Sequence, residues 1–384
     1  MIMDLMLSAE EKKFKAFCRR FVRERLIPLS EQYGETDDIP AELVQVMSEA
    51  GFFELLLPED LGGKGVKALP ICLAREELAG IYSPADVTLA MQGLGSYPIY
   101  LAGNKEQKEK FLTRICKGEL LTTFALTEPD AGSDVKGLKS EAREHSEGFV
   151  LNGMKRFISN GHAADMAIVF AKTPLANNPR AVSAFILEKG MPGFTVHRRM
   201  KMIAPHDIAE LKFDNCLIPR ENLLGELGQG FALAMNTLEV FRMSVGAAAV
   251  GIGQAALDAA LIYAKKRVQF DSPIAKFQSI QLKLAEMATE LDAARALVYR
   301  AAILKDQGGA NVSRQAAMAK WYATEVAFRV VDQGLQIHGG IGVMKGSVVE
   351  RLYREIRALR IYEGTTEIQK LTIANSLLRE PRGE

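Results

Sequence analysis

The sequence predicts a multidomain protein of mixed α and β structure, in which a small β-barrel or β-sandwich separates two helical regions. Three observations support this order. Apolar residues recur at helical spacing up to residue 120, short β-branched runs separated by turns follow, and long helical patterns with short connections fill the remainder. The last pattern is typical of a four-helix bundle. We therefore predict an all-α domain at 1–120, a central β domain at 121–226 and a helical bundle at 227–384.

The N-terminal region reads as a series of helices. Ser8–Glu11 match a capping box, and the helix that they open is expected to stop at Pro28. A second helix begins at Pro40 and ends near Gly51. Three more predicted helices follow over Leu69–Ile81, Asp86–Leu101 and Lys105–Lys117.

The central region is predicted to form short strands, because apolar and β-branched runs alternate there with turn residues. The predicted strands are Leu121–Leu126, Gly148–Leu151, Arg156–Ser159, Met166–Ala171, Ala181–Glu188, Phe194–His197 and Glu210–Phe213. The C-terminal region has four long helical patterns. The predicted helices are Phe231–Arg267 (unbroken or broken once), Phe277–Leu304, Ser313–His338 and Glu367–Leu378.

Composition narrows the possible partners and compartments. A net charge of +1 gives no electrostatic reason to expect nucleic acid or an anionic membrane as a partner. The longest uncharged apolar run, Met243–Leu257, is shorter than the roughly 18 residues of a membrane span. The four cysteines are widely scattered, which predicts neither a metal site nor a disulfide framework. We therefore expect a cytoplasmic protein without a bound metal.

The segment around Glu363 is the strongest candidate for chemistry. Tyr362 precedes the carboxylate directly, and a carboxylate in apolar surroundings acquires a raised pKa and becomes a usable base near neutral pH. Gly364 permits a positive φ, and Thr365 or Thr366 can cap the helix that follows. Taken alone, the segment is also compatible with a surface carboxylate at the start of a helix.

Three further motifs occur elsewhere in the chain. Thr127–Asp134 forms a turn rich in Pro, Gly and Ser directly after the first strand, Phe157–Ser159 ends another strand, and Gln336–Gly340 is rich in glycine. Together with Tyr362–Gln369, these motifs resemble the acyl-CoA dehydrogenase family. The resemblance spans roughly residues 120 to 370, in the family's order.

The resemblance implies an FAD-dependent enzyme that oxidises an acyl-CoA thioester to a trans-2-enoyl-CoA. In that family a glutamate, here Glu363, removes the α-proton, while a β-hydride passes to flavin N5. The electrons are then passed to an electron-transfer flavoprotein. Some members carry the base on the long helix instead, but that position is Phe241 here, which cannot accept a proton. Glu239, nearby on the same helix, is the rival carboxylate.

The resemblance also implies which residues contact the cofactor. Phe124–Thr127 would bond the flavin pyrimidine edge, Phe157 would pack beside the rings, and Ser159 would reach N5. Arg267 would meet the pyrophosphate of a neighbouring subunit's FAD, which implies an oligomer, and we expect a homotetramer. The complete implied set is Phe124, Leu126, Thr127, Gly132, Ser133, Phe157, Ser159, Arg267, Gln269, Phe270, Phe277, Gln278, Gln336, Gly339, Gly340, Thr365 and Glu367.

Substrate contacts are implied in the same way. Arg242 and Glu239 correspond to a family pattern that holds the CoA moiety, and Ser133 would touch CoA or the cofactor phosphate. The complete implied set is Ser133, Glu239, Arg242, Tyr362, Gly364 and Asn375.

The sequence departs from the family pattern in two places. Asp271 replaces a glycine in the Arg267–Gln278 motif, and Lys201–Leu211 lacks the usual Gly-x-Arg-x-Ser.

Gly251–Ala256 fits a dinucleotide fingerprint, but an Ala-rich helical pattern precedes it, so we interpret it as helix packing. His338 is expected to lie near the flavin at most.

Other activities on the same fold stay open. The chain could act as an acyl-CoA oxidase, as an enoyl-CoA reductase, or as a flavin-bearing binding protein without catalysis. The acyl group itself, including its length, branching or a ring, cannot be derived from the residues.

Overall fold

Helices dominate the first part of the chain, as the sequence predicts. The structure is a computed structural model that describes residues 7–176 and 178–379. The capping box is confirmed, because Ser8 Oγ accepts from Glu11 N while the Glu11 carboxylate accepts from Ser8 N. The helices are α1 (Ala9–Phe21), α2 (Ile27–Tyr33), α3 (Ala41–Glu49), α4 (Ala68–Ala79), α5 (Ser83–Ala102), α6 (Lys105–Gln107) and α7 (Thr113–Cys116).

Pro28 does not end the first helix, and that prediction was wrong. A π-helical turn over Val22–Leu26 carries the helical path into α2, where Pro28 is the second residue. The π turn changes the hydrogen-bond register just before the proline, so the missing N–H and the ring are accommodated. A second π turn, Lys108–Leu112, joins α6 to α7.

The central region forms an eight-stranded sheet. The strands are β1 (Thr122–Ala125), β2 (Glu141–His145), β3 (Gly148–Ser159), β4 (Met166–Lys172), β5 (Val182–Glu188), β6 (Phe194–Arg199), β7 (Ile208–Pro219) and β8 (Leu223–Leu224). Their order is β6-β7-β3-β2-β4-β5-β8, with β1 pairing in parallel to β4. Five of the six remaining pairings between neighbouring strands are antiparallel. One apolar cluster includes Ala125, Phe149, Val169, Phe185 and Leu211, which come from five different strands.

Two features of this sheet differ from the prediction. The two predicted strands between residues 148 and 159 are one strand, β3, whose pairing with β7 shifts register twice. Strand β2 was not predicted, because Glu141–His145 is a charged segment of which only Ala142 is buried. Its pairing with β3, rather than its own pattern, makes it a strand.

Long helices form the C-terminal region. They are α8 (Gly230–Lys266), α9 (Gln278–Asp306), α10 (Val312–His338), α11 (Val348–Leu359) and α12 (Thr366–Arg379). Helix α8 runs unbroken for 37 residues. A two-stranded hairpin, β9 (Val268–Gln269) and β10 (Ser272–Pro273), separates α8 from α9. The helical character is confirmed, and α11 adds a helix to the four that were predicted.

The glycine-rich stretch of α8 packs helices, as we interpreted it. A Cβ on Gly251 would lie 2.0 Å from the carbonyl oxygen of Glu76 on α4, so only glycine allows this approach. By length and composition α8 could cross a membrane, but 67% of its most apolar window is buried. That burial is typical of a core helix.

Contacts divide the chain into two compact units that are not contiguous in sequence. The first, here called the helical unit, takes the described residues up to Gln32, then Lys67–Asp86, and those from Glu239 onward. The second, here called the mixed unit, takes Tyr33–Val66 and Val87–Leu238. The linear domain boundaries near residues 120 and 226 stay predictions.

Candidate active site

Glu363 lies in a tight turn of the helical unit between α11 and α12. Its φ is +54°, a left-handed value that is uncommon for a residue with a side chain, and Gly364 follows at +92°. Such backbone is strained by about 1–3 kcal/mol and persists only where its surroundings hold it.

Three side chains hold both carbonyl groups of this turn. Gln369 Nε2 donates to the carbonyl oxygens of Glu363 and Gly364, at 3.0 and 3.1 Å. Arg242 Nε donates to the Glu363 oxygen at 3.3 Å, and Lys320 Nζ donates to the Gly364 oxygen at 2.7 Å. The backbone is therefore fixed from α8, α10 and α12, while the carboxylate is left out of these contacts.

The carboxylate of Glu363 is buried at one end and unpartnered. Its Oε2 is enclosed and has no hydrogen-bond partner among the described residues. Burial raises the pKa of Glu363 to about 7, although the positive charges of Arg75, Lys320 and Arg242 act to lower it. A carboxylate with this pKa exchanges a proton near neutrality, as a general base must.

Arg75 and Asp86 form a buried ion pair beside Tyr362. Arg75 Nε and Nη2 donate to the two Asp86 oxygens at 2.7 and 2.9 Å, and Nη1 donates to Ser244 at 2.8 Å. Burial raises the pKa of Tyr362, whose hydroxyl also accepts from Arg75. The pair thus anchors the residue that precedes Glu363. No motif pointed to Arg75, Asp86 or Lys320 as parts of this site.

Thr365 is the residue that caps α12, because its Oγ1 accepts from Ile368 N at 3.3 Å. Thr366 instead donates to Glu325 at 2.6 Å, and Glu325 also binds Arg360 through two hydrogen bonds. Glu367 is exposed in the first turn of α12, and Asn375 is exposed further along that helix. Their assigned contacts with cofactor and substrate stay predictions.

Glu239, the rival carboxylate, already has a partner. Its Oε2 lies 3.0 Å from Lys305 Nζ in an ion pair. The structure thus distinguishes the two acids, because Glu239 has a lysine partner while Glu363 keeps an unpartnered oxygen. The contact of Arg242 with the Glu363 backbone was not expected either, and its CoA-binding role stays a prediction.

The hairpin after α8 and the residues beside it place four of the predicted cofactor residues in solvent. Phe270 and Asp271 have φ values of +50° and +56°, as a two-residue I′ turn requires. The replacement of the family's glycine by Asp271 therefore keeps the left-handed backbone. Phe270 is 91% exposed, and its ring lies edge to face with that of Phe277, with 6.2 Å between the ring centroids. Arg267, Gln269 and Gln278 are exposed in the same stretch.

The glycine-rich end of α10 is open to solvent. Gln336, Gly339 and Gly340 are exposed, and a Cβ on either glycine would meet no atom within 4 Å. Flat ligands can approach backbone of this kind closely. His338 Nδ1 instead donates to Gly334 O at 2.7 Å, and the imidazole stacks on the ring of Tyr263.

In the mixed unit, the turn after β1 is held by Glu128. This buried carboxylate pairs with Lys155 Nζ at 2.7 Å and accepts from Ser140 N at 3.1 Å. Lys155 Nζ also donates to Leu126 O at 3.1 Å, and Thr127 O accepts from Arg156 N at 2.9 Å. The glutamate and the lysine are therefore structural partners of the predicted flavin segment.

The side chains of this segment differ in exposure. Phe124 is partly buried, with its ring 4.7 Å from that of Phe170. Leu126 is buried, whereas Gly132 and Ser133 are exposed. The exposed pair fits a turn that offers its backbone and hydroxyl to a ligand.

Phe157 and Ser159 end β3 at a bulge. A register shift between Lys155 and Ile158 accompanies a φ of +58° at Phe157, which leaves that ring 56% exposed. Ser159 Oγ lies 2.7 Å from His206 Nε2, and burial lowers the pKa of His206 to about 4, so the imidazole is neutral. Sequence reasoning missed His206, although it lies in the loop that departs from the family pattern.

Each unit by itself offers groups that suit FAD. The mixed unit presents the exposed ring of Phe157 and the hydroxyl of Ser159 for the flavin. The helical unit presents an exposed guanidinium, Arg267, which suits a pyrophosphate, and the open glycine backbone at Gly339. Within residues 7–176 and 178–379, no group of three or more His, Cys, Asp or Glu residues could hold a metal ion.

Family models match nearly the whole chain. The N-terminal, middle and C-terminal domains of acyl-CoA dehydrogenase match residues 8–119, 123–216 and 228–378. An acyl-CoA dehydrogenase of Bacillus subtilis is 42% identical over 97% of this chain and 99% of that protein.

Two further similarities bear on the reaction. CarC, a subunit of the caffeyl-CoA reductase–Etf complex of Acetobacterium woodii, is 38% identical over 97% of this chain and 99% of its own length. The structure of butyryl-CoA dehydrogenase from Megasphaera elsdenii matches with a TM-score of 0.92 and 39% identity, over 97% of this chain and 99% of that one.

Proposed function

The chain belongs to the acyl-CoA dehydrogenase family, a family of FAD-binding oxidoreductases, and we propose that it oxidises an acyl-CoA thioester between Cα and Cβ. In this proposal Glu363 is the general base that removes the α-proton. The product is a trans-2-enoyl-CoA.

The unpartnered Glu363 carboxylate carries this proposal. A base must be ionised when substrate arrives and must hold the proton afterwards, and a pKa of about 7 satisfies both needs near neutral pH. No hydrogen bond from the described residues reaches Oε2, so no internal partner competes for the proton that this oxygen would take.

The backbone of the turn supports the same reading. Its carbonyl groups are fixed by Gln369, Arg242 and Lys320. Fixing these groups pre-organises the base, whose own backbone N–H is a donor suited to a thioester carbonyl oxygen. Polarising that carbonyl acidifies the α-proton that the carboxylate removes.

FAD, when bound, supplies the oxidation by accepting the β-hydrogen with its electron pair. In the proposal, Phe157 and Ser159 would hold the flavin rings in the mixed unit. Arg267 and Phe270 would contact the FAD of a neighbouring copy, so the protein would be an oligomer, and we expect a homotetramer. The exposure of 91% at Phe270 supports this assignment, because a large apolar ring in solvent indicates an interaction site.

The electron acceptor in this proposal is an electron-transfer flavoprotein. One observation favours a second direction, enoyl-CoA reduction: the relative CarC belongs to a caffeyl-CoA reductase–Etf complex. The geometry serves both directions, because a carboxyl group with a pKa of about 7 gives up a proton as readily as it takes one.

One experiment tests the function and its direction. The purified protein is expected to carry FAD and to show its absorbance bleached when mixed anaerobically with a panel of saturated acyl-CoAs. Reoxidation by an electron-transfer flavoprotein but not by oxygen would separate a dehydrogenase from an oxidase. Reduced protein that is reoxidised by enoyl-CoAs, with no bleaching by saturated thioesters, would favour the reductase. A protein that takes up no FAD would refute the proposal.

A further inference from the structure

Lys320 is a buried lysine to which the proposed reaction assigns no task. It lies on α10, is 0% exposed, and donates from Nζ to Gly364 O at 2.7 Å. No carboxylate among the described residues pairs with Nζ at ion-pair distance. Burying an ammonium group without such a partner is unfavourable. Its position therefore calls for a physical reason.

The hydrogen bond of Lys320 secures the strained turn. Gln369 and Arg242 donate to the turn carbonyls at 3.0–3.3 Å, and the Lys320 bond is the shortest of the set. Hydrogen bonds from charged donors are stronger than those between neutral groups. Lys320 thus opposes relaxation of the left-handed φ at Glu363.

Charged groups face the Glu363 carboxylate from four helices. Arg75 on α4 is neutralised by its pairing with Asp86 on α5, and Arg242 on α8 and Lys320 on α10 are the other two cations. Tyr362 is the further titratable neighbour, and its hydroxyl is neutral at physiological pH because burial raises its pKa. Two positive charges without a carboxylate partner of their own therefore act on Glu363.

The charge state of Lys320 suits this role. Burial lowers the pKa of Lys320 to about 8, and the nearby charges of Glu363, Glu325 and Glu367 raise it while that of Arg242 lowers it. The side chain therefore stays mostly protonated at neutral pH. It is charged over the range in which Glu363 must lose its proton.

We propose that Lys320 is a positioning residue for Glu363, one that anchors the turn through Gly364 and whose ammonium keeps the base ionised. The catalytic meaning of this inference rests on the proposed function. The effect on the Glu363 carboxyl group does not, so the two can be tested separately.

The test is an infrared titration of the FAD-bound protein. The absorption of the protonated Glu363 carboxyl group, identified as the band that Glu363→Gln removes, is followed against pH. The variants are Lys320→Met, which removes charge and donor, and Lys320→Gln, which removes the charge but keeps a donor. Lys283→Met is the matched control, because Lys283 on α9 also donates to an amide oxygen, that of Gln333 on α10.

Both Lys320 variants are expected to raise the titration midpoint of Glu363, by about one to three pH units, because an opposite charge that favours the ionised carboxylate is removed. Lys283→Met is expected to leave the midpoint unchanged. The maximal rate of flavin reduction, measured above the midpoint, is expected to fall further in Lys320→Met than in Lys320→Gln, because only the latter keeps a hydrogen bond to the turn. A purely structural lysine would not move the midpoint.

Each other outcome has a defined meaning. A midpoint that stays at the wild-type pH in folded Lys320→Gln overturns the inference, as does failure of both Lys320 variants to fold with FAD. If the infrared midpoint moves but the pH dependence of flavin reduction does not, the inference stands and the assignment of Glu363 as the base fails.

Discussion

The turns at Glu363 and Phe270 are two of those in the helical unit that place side-chain-bearing residues in left-handed backbone, and their surroundings are opposite. At Glu363, with φ +54°, side chains from three helices hold the carbonyl groups and burial raises the pKa of the carboxyl group. At Phe270, with φ +50°, the ring is 91% exposed. The first turn has its supporting contacts within the chain, whereas the second presents its side chain outward.

The difference shows what each turn can do alone. Because the described residues already hold the Glu363 turn, its acid–base property belongs to a single chain. At the hairpin tip, the backbone of Phe270 is strained although its side chain is exposed to solvent. A strained backbone with an exposed apolar side chain is typical of a site that is completed by a ligand or partner. We therefore expect changes at Glu363 to affect chemistry and changes at the hairpin to affect cofactor retention and assembly.

The largest effect is expected from Glu363→Gln, which should retain FAD but lose reduction of the flavin by substrate. The amide is nearly isosteric and cannot take the proton, and removal of a general base costs on the order of 10²–10⁴ in rate. Rapid-mixing absorbance at the flavin band measures the loss.

Glu239→Gln is the matched control for that variant, since Glu239 pairs with Lys305 at 3.0 Å. We expect it to alter mainly thioester binding. If Glu239→Gln abolishes bleaching while Glu363→Gln bleaches at the wild-type rate, the base has been placed on the wrong element.

The pH dependence should be the next largest effect. Because burial raises the pKa of Glu363 to about 7, the carboxylate is lost as the pH falls through that value. The second-order rate constant of flavin reduction reports the pKa of the base in the free enzyme. It should fall about tenfold for each pH unit below the midpoint and level off above it. A midpoint near the ordinary glutamate value, about 4.3, would contradict the buried site.

At the hairpin, Arg267→Ala is expected to weaken both FAD retention and assembly without moving the pH midpoint of Glu363. Loss of a charged hydrogen bond to phosphate weakens binding by about 1.5–3 kcal/mol, or about 10- to 150-fold. Flavin absorbance after dialysis and light scattering measure the two properties. Lys265→Ala, which removes an exposed cation from the end of α8, is the control. A wild-type protein that is monomeric and full of FAD would rule out the contact between copies.

The smallest effect is expected from Asp271→Gly. Glycine removes the backbone strain of a left-handed φ of +56° in the folded state, but it also raises the conformational entropy of the unfolded chain. These terms oppose each other, so stability should change by less than about 1 kcal/mol. Gly364→Ala should be clearly more destabilising, because its Cβ would lie 2.4 Å from Gln369 Nε2. Thermal unfolding of both variants compares the turns. Equal losses at the two positions would mean that the buried turn is no more constrained than the hairpin.

Much of the fold could be predicted because its signals are local. The Ser8 capping box, the long apolar helices and the packing glycine Gly251 each depend on residues close in sequence, and the structure confirms them. Family resemblance, now confirmed by models that match all three regions, came from motifs of the same short range.

The elements that were missed differ in kind. Helix α11 carried a readable signal, because its buried residues Val349, Leu352, Ile356 and Leu359 recur at helical spacing. Strand β2 did not, since Glu141–His145 is mostly exposed and becomes a strand only by pairing with β3. The π turn before Pro28 could not be predicted either, because the helix-breaking tendency of proline says nothing about the hydrogen-bond register of the preceding turn.

By itself the sequence determined that a carboxylate follows an aromatic residue and precedes a glycine, and that this segment resembles a catalytic one. Only the tertiary structure decided what surrounds that carboxylate. Arg75, Arg242 and Lys320 come from distant points in the chain, and their effect on Glu363 depends on distance and burial. Neither quantity is encoded in local spacing, so the protonation of the base is a property of the fold.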